Sequence, residues 1–289
     1  MKVAQRFAAA LGAALLASCV TLTREPRGVM PAADGAVRVA PIGCALNAPA
    51  ADLRVPSTAL ALDPQQIRLL TWNVHKQGDA GWDRDLARFA AGADVVLLQE
   101  AVLRQGLRPL LEAQGLDWVM ASSFQYEDAD FGVLTAARVP ALASCAERAV
   151  EPLLGIPKSG LISWFALGGA GSVLAVVNVH AINFSLALPA YEAQFAALAA
   201  ALAHHRGPIV FAGDFNTWSR DRLAVVQTIA ARLGLVEVVF PDGVRARFLG
   251  HEVDHVLVRG LDAVAATAIR VDSSDHNPVQ VTLRVGPAR

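Results

Sequence analysis

Lysine is scarce in this sequence of 289 residues. Only three lysines are present, so Arg supplies most of the 25 basic side chains. The two that lie beyond the N-terminal segment are Lys76 and Lys158. Basic and acidic residues nearly cancel, with a formal net charge of −1, and no run of Lys and Arg marks a nucleic-acid-binding surface. The composition weakens a nuclease interpretation but leaves room for a local basic patch.

A long apolar segment is also lacking. Lys2 and Arg6 precede an apolar stretch from Phe7 to Ala17, which is roughly half of the ~20 residues that a transmembrane helix needs. This pattern predicts a secretory signal and not a membrane span. The stretch ends in Leu-Ala-Ser-Cys19, which resembles a bacterial lipobox, and predicts a signal peptide over residues 1–18 followed by a lipidated Cys19. The alternative is an ordinary signal peptide with an incidental Cys19.

Lipidation would place the protein in the bacterial cell envelope. Val20 follows Cys19 and an Asp does not, so by analogy with lipoprotein sorting we expect attachment to the outer membrane, facing the periplasm. Without residues 1–18 the chain has 23 basic and 26 acidic residues, a net charge of −3. Because this compartment permits disulfides, the two other cysteines, Cys44 and Cys145, either form one or remain as two buried thiols.

The apolar content of 54% is sufficient for one large hydrophobic core. Residues 19–64 are rich in Ala, Pro, Gly and Arg without a sustained period, which predicts a tether and an N-terminal arm lying on a main domain of residues 65–289. Strand and helix patterns alternate from Ile67 onward, and this alternation favours a four-layer α/β/β/α sandwich with two mixed sheets. The predicted strands lie at 67–71, 95–98, 118–121, 131–135, 143–148, 161–167, 173–179, 209–212, 253–258 and 279–285, and the helices at 83–91, 105–114, 189–205 and 222–233.

Short polar signatures lie at the ends of the apolar runs. Four follow a strand-like run, whereas Asp254 and Asp275 precede one. Since strand ends on one rim of a sandwich can meet in one cleft, the pattern predicts a site for a hard cation with acid–base groups beside it. The signatures are Trp72-Asn73, Gln99-Glu100, Asn178-Val179-His180, Gly213-Asp214-Phe215-Asn216, Asp254-His255 and Ser274-Asp275-His276.

Glu100 ends an apolar strand, where an unpaired carboxylate would be costly to bury. A bound cation removes this cost, so we predict that Glu100 is a metal ligand, with Asn73 beside it. Oxygen ligands without cysteine favour Mg²⁺ or Mn²⁺. The alternative is a salt bridge from Glu100 to an Arg at the sheet edge. Asp214 and Asn216 alternate with Phe215, which predicts that both face the cleft while Phe215 enters the core.

These signatures, in this order over roughly residues 65–286, resemble the endonuclease/exonuclease/phosphatase superfamily, which includes deoxyribonuclease I and the abasic-site endonucleases. The resemblance implies a deoxyribonuclease I-like sandwich that hydrolyses phosphate esters. The chain is similar in particular to the YafD-like bacterial branch. The strings that carry this closer resemblance are Trp72 to Gln77, Val177 to Ser185 and Asp214 to Arg220.

The resemblance also implies roles for the catalytic residues. Asp214 would align or deprotonate the attacking water, and Asn216 would bind the phosphate. Asp254 would orient His276, which would contact the phosphate or act in acid–base chemistry. His180 would protonate the leaving group, since it stands where related enzymes carry a second catalytic His or a Tyr.

The remaining predicted site residues lie around this group. The resemblance places Asp275 near the metal, and Lys76, Lys158 and Asn183 are candidate substrate contacts, although a solvated lysine is the plainer alternative. The function favoured is a divalent-metal-dependent phosphodiesterase, with a nuclease among its forms. The alternatives are a phospholipid or small-molecule phosphatase on the same site, and a non-catalytic binding protein on the same scaffold. The expected partners are a nucleic-acid, nucleotide or phospholipid substrate and, through the lipid anchor, a membrane; no protein partner is indicated.

Overall fold

The computed structural model describes residues 20–286, apart from residues 24, 50–52, 105, 170, 186 and 242. The predicted signal peptide and Cys19 lie outside the described residues. Within these residues, no helix has both the length and the apolar character needed to cross a membrane. The chain folds as a mixed α/β protein with two large mixed sheets, which confirms the predicted fold class.

The strands are β1 (Val20–Thr21), β2 (Arg27–Pro31), β3 (Val37–Pro41), β4 (Ile67–Asn73), β5 (Val95–Leu103), β6 (Asp117–Tyr126), β7 (Ala129–Ala137), β8 (Ala143–Val150), β9 (Pro157–Ala166), β10 (Val173–His180), β11 (Ile209–Asp214), β12 (Val236–Glu237), β13 (Arg247–Phe248), β14 (His251–Glu252), β15 (Asp254–Arg259), β16 (Leu261–Ala268) and β17 (Val279–Val285). The helices are α1 (Cys44–Asn47), α2 (Trp82–Ala90), α3 (Leu107–Ala113), α4 (Pro189–Ala201) and α5 (Arg220–Leu233), with a 3₁₀ turn at His75–Gln77. Helices separate the strands between β3 and β6 and between β10 and β12, and elsewhere in the described chain the strands follow one another directly.

The larger sheet has the order β16-β17-β4-β5-β7-β6-β2-β3, with β1 paired to β6. The smaller sheet has the order β12-β15-β11-β10-β9-β8, and β13 and β14 form a separate hairpin. In each large sheet one central pair is parallel: β4 with β5, and β10 with β11. Because these parallel strands run in one direction, their carboxyl ends meet at one edge of the sandwich, which we call the cleft edge.

Three apolar layers hold the sandwich together. Side chains such as Leu69, Leu97 and Val176 fill the space between the two sheets. Phe195 of α4 packs on the outer face of the smaller sheet, and Leu86 of α2 packs on that of the larger sheet. These strands carry apolar residues at nearly every position because both of their faces are covered, as expected for the centre of such a sandwich.

The N-terminal arm takes part in the larger sheet. Residues 20–64 were expected to contain a tether and an arm, and their composition gave no sign of strands. In the structure β2 pairs with β6 and with β3, so the arm extends the sheet edge. A disulfide joins Cys44 of α1 to Cys145 of β8 across 101 positions of sequence, which settles the alternatives for these two cysteines. The arm is therefore fixed to both sheets.

Candidate active site

Three neighbouring strands of the smaller sheet bring three functional side chains to one line at the cleft edge. The register pairs His180 of β10 with Asp214 of β11, and Asp214 with Asp254 of β15. Gly213 makes the close strand contact possible: its φ is +136°, and a Cβ there would lie 2.1 Å from the carbonyl oxygen of Val179. Only glycine fits this position, so the strand ends with its carboxylate directed into the cleft.

Asp214 is the centre of the site. Its Oδ1 accepts the backbone N–H of Asn216 at 3.0 Å, and its Oδ2 accepts the side-chain amide of Asn73 at 3.1 Å. The same Oδ2 lies 3.5 Å from Nε2 of His180 and 3.8 Å from Nε2 of His276. These last two distances exceed a normal hydrogen bond, so the two imidazole nitrogens face the carboxylate without bonding directly to it.

His276 is held in one orientation by Asp254. Nδ1 of His276 lies 3.0 and 2.9 Å from the two carboxylate oxygens of Asp254, which directs Nε2 towards Asp214. Burial acts to lower the pKa of His276, but the carboxylates of Asp254 and Asp214 outweigh it and raise the pKa to about 10. His276 is therefore an imidazolium at neutral pH, with its free N–H directed into the cleft.

His180 differs from His276 in being neutral at neutral pH. Burial and the nearby Lys158 ammonium lower the pKa of His180 to about 4, against the opposing effect of Asp214. Nζ of Lys158 lies 2.9 Å from Nε2 of His180, so the neutral imidazole accepts a hydrogen bond that the Lys158 side chain donates. The proton donor at this point is Lys158, and this arrangement differs from a His180 that protonates the leaving group unaided.

Glu100 lies on the side of the cleft that the larger sheet provides. Its Oε2 contacts the ammonium of Lys76, and its Oε1 lies 3.7 Å from Nε2 of His180. Burial acts to raise the pKa of Glu100, whereas His180, which is protonated in the acid range where Glu100 titrates, and the side chains of Lys158 and Lys76 lower it to about 2. The partner of this carboxylate is a lysine and not the arginine considered as an alternative.

The donor set fits a divalent cation. Asp214, Asp254 and His276 form a group that could hold a metal ion, with ligand atoms within 4.8 Å of one another. Asp254 already occupies Nδ1 of His276, however, so only Nε2 is left for a metal, which would have to displace the proton there. Glu100 is ionised and already attracts a cationic side chain, so its oxygens, with those of Asn73 and Asp214, match a hard cation better.

Backbone strain is concentrated at this edge. His75, Lys76 and Gln77 have φ values of 44°, 56° and 57°, and Glu100 and Asn216 have φ values of 51° and 50°. Glu100 lies in the bulge where the pairing of β5 with β7 shifts register, and this bulge directs its side chain out of the regular sheet alternation. Left-handed backbone in non-glycine residues is uncommon and tends to cluster where a side chain must be positioned for function.

Asp275 lies at the rim. The hydroxyl of Ser274 donates to the carbonyl of Asn73, and the indole of Trp72 donates to the carbonyl of His276. With its neighbours held inward, Asp275 is turned outward: its side chain is 61% exposed, and its carboxylate lies 3.9 Å from Nε2 of His75. The structure thus places Asp275 outside the buried group, and its role near the metal remains a prediction.

Asn183 and Arg222 organise the neighbouring loops. The side-chain oxygen of Asn183 accepts the indole N–H of Trp218. The buried guanidinium of Arg222 donates to the carbonyls of Ile182, Asn183, Ser185 and Asn216, and so joins the loop after β10 to the loop after β11. Arg222 was not predicted from the sequence. A signal existed, because a cation in the first turn of a helix opposes the helix dipole and calls for local carbonyl partners.

Two residues of the signatures lie away from the cleft. His255 is buried between Thr217 and Glu237, as expected for a side chain on the opposite face from Asp254. Asn178 lies between the sheets, where its amide donates to the carbonyls of Leu98 and Leu134. The ring of His255 packs against Phe215, which points away from the cleft, so neither side chain is directed at Asp214.

A family model described as "Endonuclease/Exonuclease/phosphatase family" matches residues 70–276, the span that contains every cleft residue named above. The chain belongs to this family. A UPF0294 protein of Vibrio vulnificus (strain YJ016) is 42% identical over 229 residues, which cover 78% of this chain and 80% of that protein. A UPF0294 protein of Klebsiella pneumoniae (strain 342) is 38% identical over 229 residues, covering 79% and 86%. These relatives agree with the predicted bacterial branch.

Solved structures of the same family share the fold. An endonuclease/exonuclease/phosphatase from Beutenbergia cavernae has a TM-score of 0.61 at 20% identity, covering 78% of this chain and 72% of that one. ANGEL2, a 2′,3′-cyclic phosphatase solved with adenosine-2′,3′-vanadate, also has a TM-score of 0.61 at 16% identity, covering 77% and 96%. At these identities the comparison establishes the architecture and not the substrate.

Proposed function

We propose that this protein is a divalent-metal-dependent phosphodiesterase that uses Mg²⁺ or Mn²⁺. The observation that carries the proposal is the environment of Asp214, a buried carboxylate that faces Asn73, His180 and His276 from three different elements. Desolvating a carboxylate is costly, and such convergence of acid–base groups has no evident benefit for folding. It suits a reaction in which an oxygen is deprotonated beside a phosphoryl group.

The chain's own residues supply the proton chemistry. Asp214 is fixed by Asn73 and by the backbone of Asn216, so its Oδ2 is placed to accept a proton from an attacking water. The imidazolium of His276 faces the same point and stabilises the negative charge that develops on the phosphoryl oxygens. This division follows from charge state: a carboxylate accepts the proton and a cation stabilises the anion.

Leaving-group protonation involves Lys158 and His180 as a pair. His180 is neutral and its Nε2 accepts from Lys158, so the proton that the leaving oxygen gains would come from Nζ of Lys158, which becomes a neutral amine and regains a proton from water. Burial lowers the pKa of Lys158, which favours release of that proton. Lys158 therefore has a role beyond the substrate contact expected from the sequence.

The metal would be held by Glu100 and Asn73. A bound Mg²⁺ or Mn²⁺ would neutralise charge on the phosphate. Glu100 belongs to the larger sheet and Asp214 to the smaller one, so the cleft between the sheets presents anionic oxygens from both sides. Lys76, which contacts Glu100, is 55% exposed and would meet the substrate at the entrance.

Hydrolysis in the presence and absence of metal tests the proposal. The substrates are plasmid DNA, single-stranded RNA, a phospholipid and bis-p-nitrophenyl phosphate, each with Mg²⁺, with Mn²⁺ or with excess chelator. We expect metal-dependent hydrolysis that Asp214→Ala abolishes. Glu100→Gln should raise the metal concentration needed by at least about tenfold, because it removes a charged ligand. The matched control is Glu112→Gln, an exposed position on α3. Full activity in excess chelator would refute the metal mechanism.

A further inference from the structure

Large apolar side chains are exposed in the turns around the cleft. Leu153 and Leu154 occupy the turn between β8 and β9 and are 78% and 50% exposed. Phe248 and Leu249 occupy the tip of the β13–β14 hairpin, and Leu249 has a left-handed φ of 49°. Turn tips normally carry Gly, Asn, Asp or Pro, and a left-handed leucine is uncommon. The requirements of the turns therefore do not explain why these positions carry large, exposed apolar side chains.

These turns project from the same edge as the catalytic groups. In the smaller sheet, Val150 pairs with Pro157 directly before the β8–β9 turn, and one residue further along β9 is the catalytic Lys158. The β13–β14 hairpin ends two residues before Asp254. Phe184, also exposed, donates its backbone N–H to Glu151 in the β8–β9 turn. The apolar tips thus stand on two sides of the cleft.

The N-terminal end of the described chain is at this edge as well. Val20 of β1 pairs with Tyr126, the last residue of β6, and the side chain of Arg148 donates to the hydroxyl of Thr23. Leu22, between these contacts, is half-exposed. The described chain therefore begins beside the cleft and not at the opposite edge.

We propose that the cleft edge docks on a lipid bilayer, with Leu153, Leu154, Phe248 and Leu249 entering the boundary between headgroups and acyl chains. The apolar residues lie on separate tips with polar surface between them, and such an arrangement fits a plane better than it fits the continuous groove that a peptide would occupy. Insertion of a few apolar side chains is the usual contribution to interfacial binding. Docking would direct the cleft towards phosphate groups at the bilayer surface.

Charge has a minor part in this docking. The same edge carries exposed groups of both signs: Lys76 and Arg247 are cationic, and Asp275 is anionic. Charges of both signs on one edge oppose each other in attracting an anionic surface. We therefore expect binding to neutral phosphatidylcholine vesicles that persists at high salt, where attraction between exposed charges is screened.

Site-directed fluorescence tests the proposal on the full chain. A nitrobenzoxadiazole dye is attached at Leu154→Cys, at Leu249→Cys or, as the matched control, at Leu60→Cys. Leu60 is an exposed leucine two residues before Leu62, which bonds to the end of β9 at the opposite edge. Cys19→Ser removes the competing thiol, while Cys44 and Cys145 are already bonded. Asp214→Ala removes hydrolysis, so the result does not depend on the proposed activity.

With phosphatidylcholine vesicles, the emission of the dyes at 154 and 249 should shift to shorter wavelength, and nitroxide-labelled lipids should quench both. The dye at 60 should show neither change. An unchanged signal at 154 and 249, or an equal change at all three positions, would overturn the proposal. A shift at 154 and 249 that appears without vesicles as protein concentration rises would overturn it too, since a second copy of the chain would then cover this edge.

Discussion

At the scale of single residues, the contact between Asp254 and His276 determines a protonation state. Nδ1 of His276 faces both oxygens of Asp254, and the pKa of His276 is raised to about 10. A raised pKa means that this contact contributes its full stability below the ordinary histidine value of about 6.5, and that the contribution is lost as pH rises through about 10. The imidazolium is therefore present over the whole physiological range.

Asp254→Asn and His276→Ala should act on activity as one unit. Each single substitution is expected to lower kcat/KM by about 10²–10⁴-fold, the range for a positioned acid–base group, and the double variant should lose little more. In Asp254→Asn, the decline of kcat/KM at high pH should begin at lower pH because the imidazolium loses its counter-charge. A double-mutant cycle with pH profiles measures both effects. Fully additive losses would contradict the coupling.

The sequence predicted which residues form the site better than it predicted their contacts and backbone conformations. Asp214, Asn216 and Asp254 follow from strand ends and alternation, and the structure brings them to one cleft with Asn73, Glu100 and His276. The contact of Lys158 with His180 did not follow, because it depends on the distance between side chains of two strands and on their burial. The positive φ of Glu100 could not be predicted either, since no glycine in β5 indicates the bulge.

At the scale of elements, the predicted strands at the centre of both sheets agree with the structure because long apolar runs mark them. The helix predicted at 83–91 is found at Trp82–Ala90, and the long helix predicted at 189–205 ends earlier, at Ala201. The strands of the arm and β16 were missed. β16 is an edge strand with mostly exposed side chains, so it lacks the apolar signal that burial imposes.

Arg222 should control the loops that carry Asn183 and Asn216. Arg222→Met keeps much of the side-chain volume but leaves four carbonyls, three of them buried, without this donor, so we expect a loss of about 3–5 kcal/mol in the free energy of unfolding. Urea denaturation measures the loss, and proteolysis should cut the two loops first. Arg220→Met, an exposed position on the same helix, is the control and should cost little. Equal stability of the two variants would contradict this role.

At the scale of the whole molecule, the disulfide between Cys44 and Cys145 joins the N-terminal arm to the smaller sheet. The entropy model gives a loop of about 100 residues a stabilisation of up to about 4–5 kcal/mol, although measured gains are often smaller. Reduction, or a Cys44→Ala/Cys145→Ala double variant, should lower the denaturant midpoint and expose the arm to proteases. Thiol counting on denatured, unreduced protein checks the bond directly, and two reactive thiols from these positions would show that it is absent.

Lipidation of Cys19 would determine how the whole molecule faces a membrane. Val20 and Thr21 pair directly with β6, so the stand-off that a Pro-rich tether would provide is not available between residue 20 and the domain. Two or three acyl chains on Cys19 would hold the cleft edge close to the bilayer, since one chain alone anchors weakly. Cys19→Ser should block processing or release a soluble form. Intact-mass analysis of the native protein decides the question: an unmodified N-terminus at another residue would mean that the lipoprotein prediction is wrong.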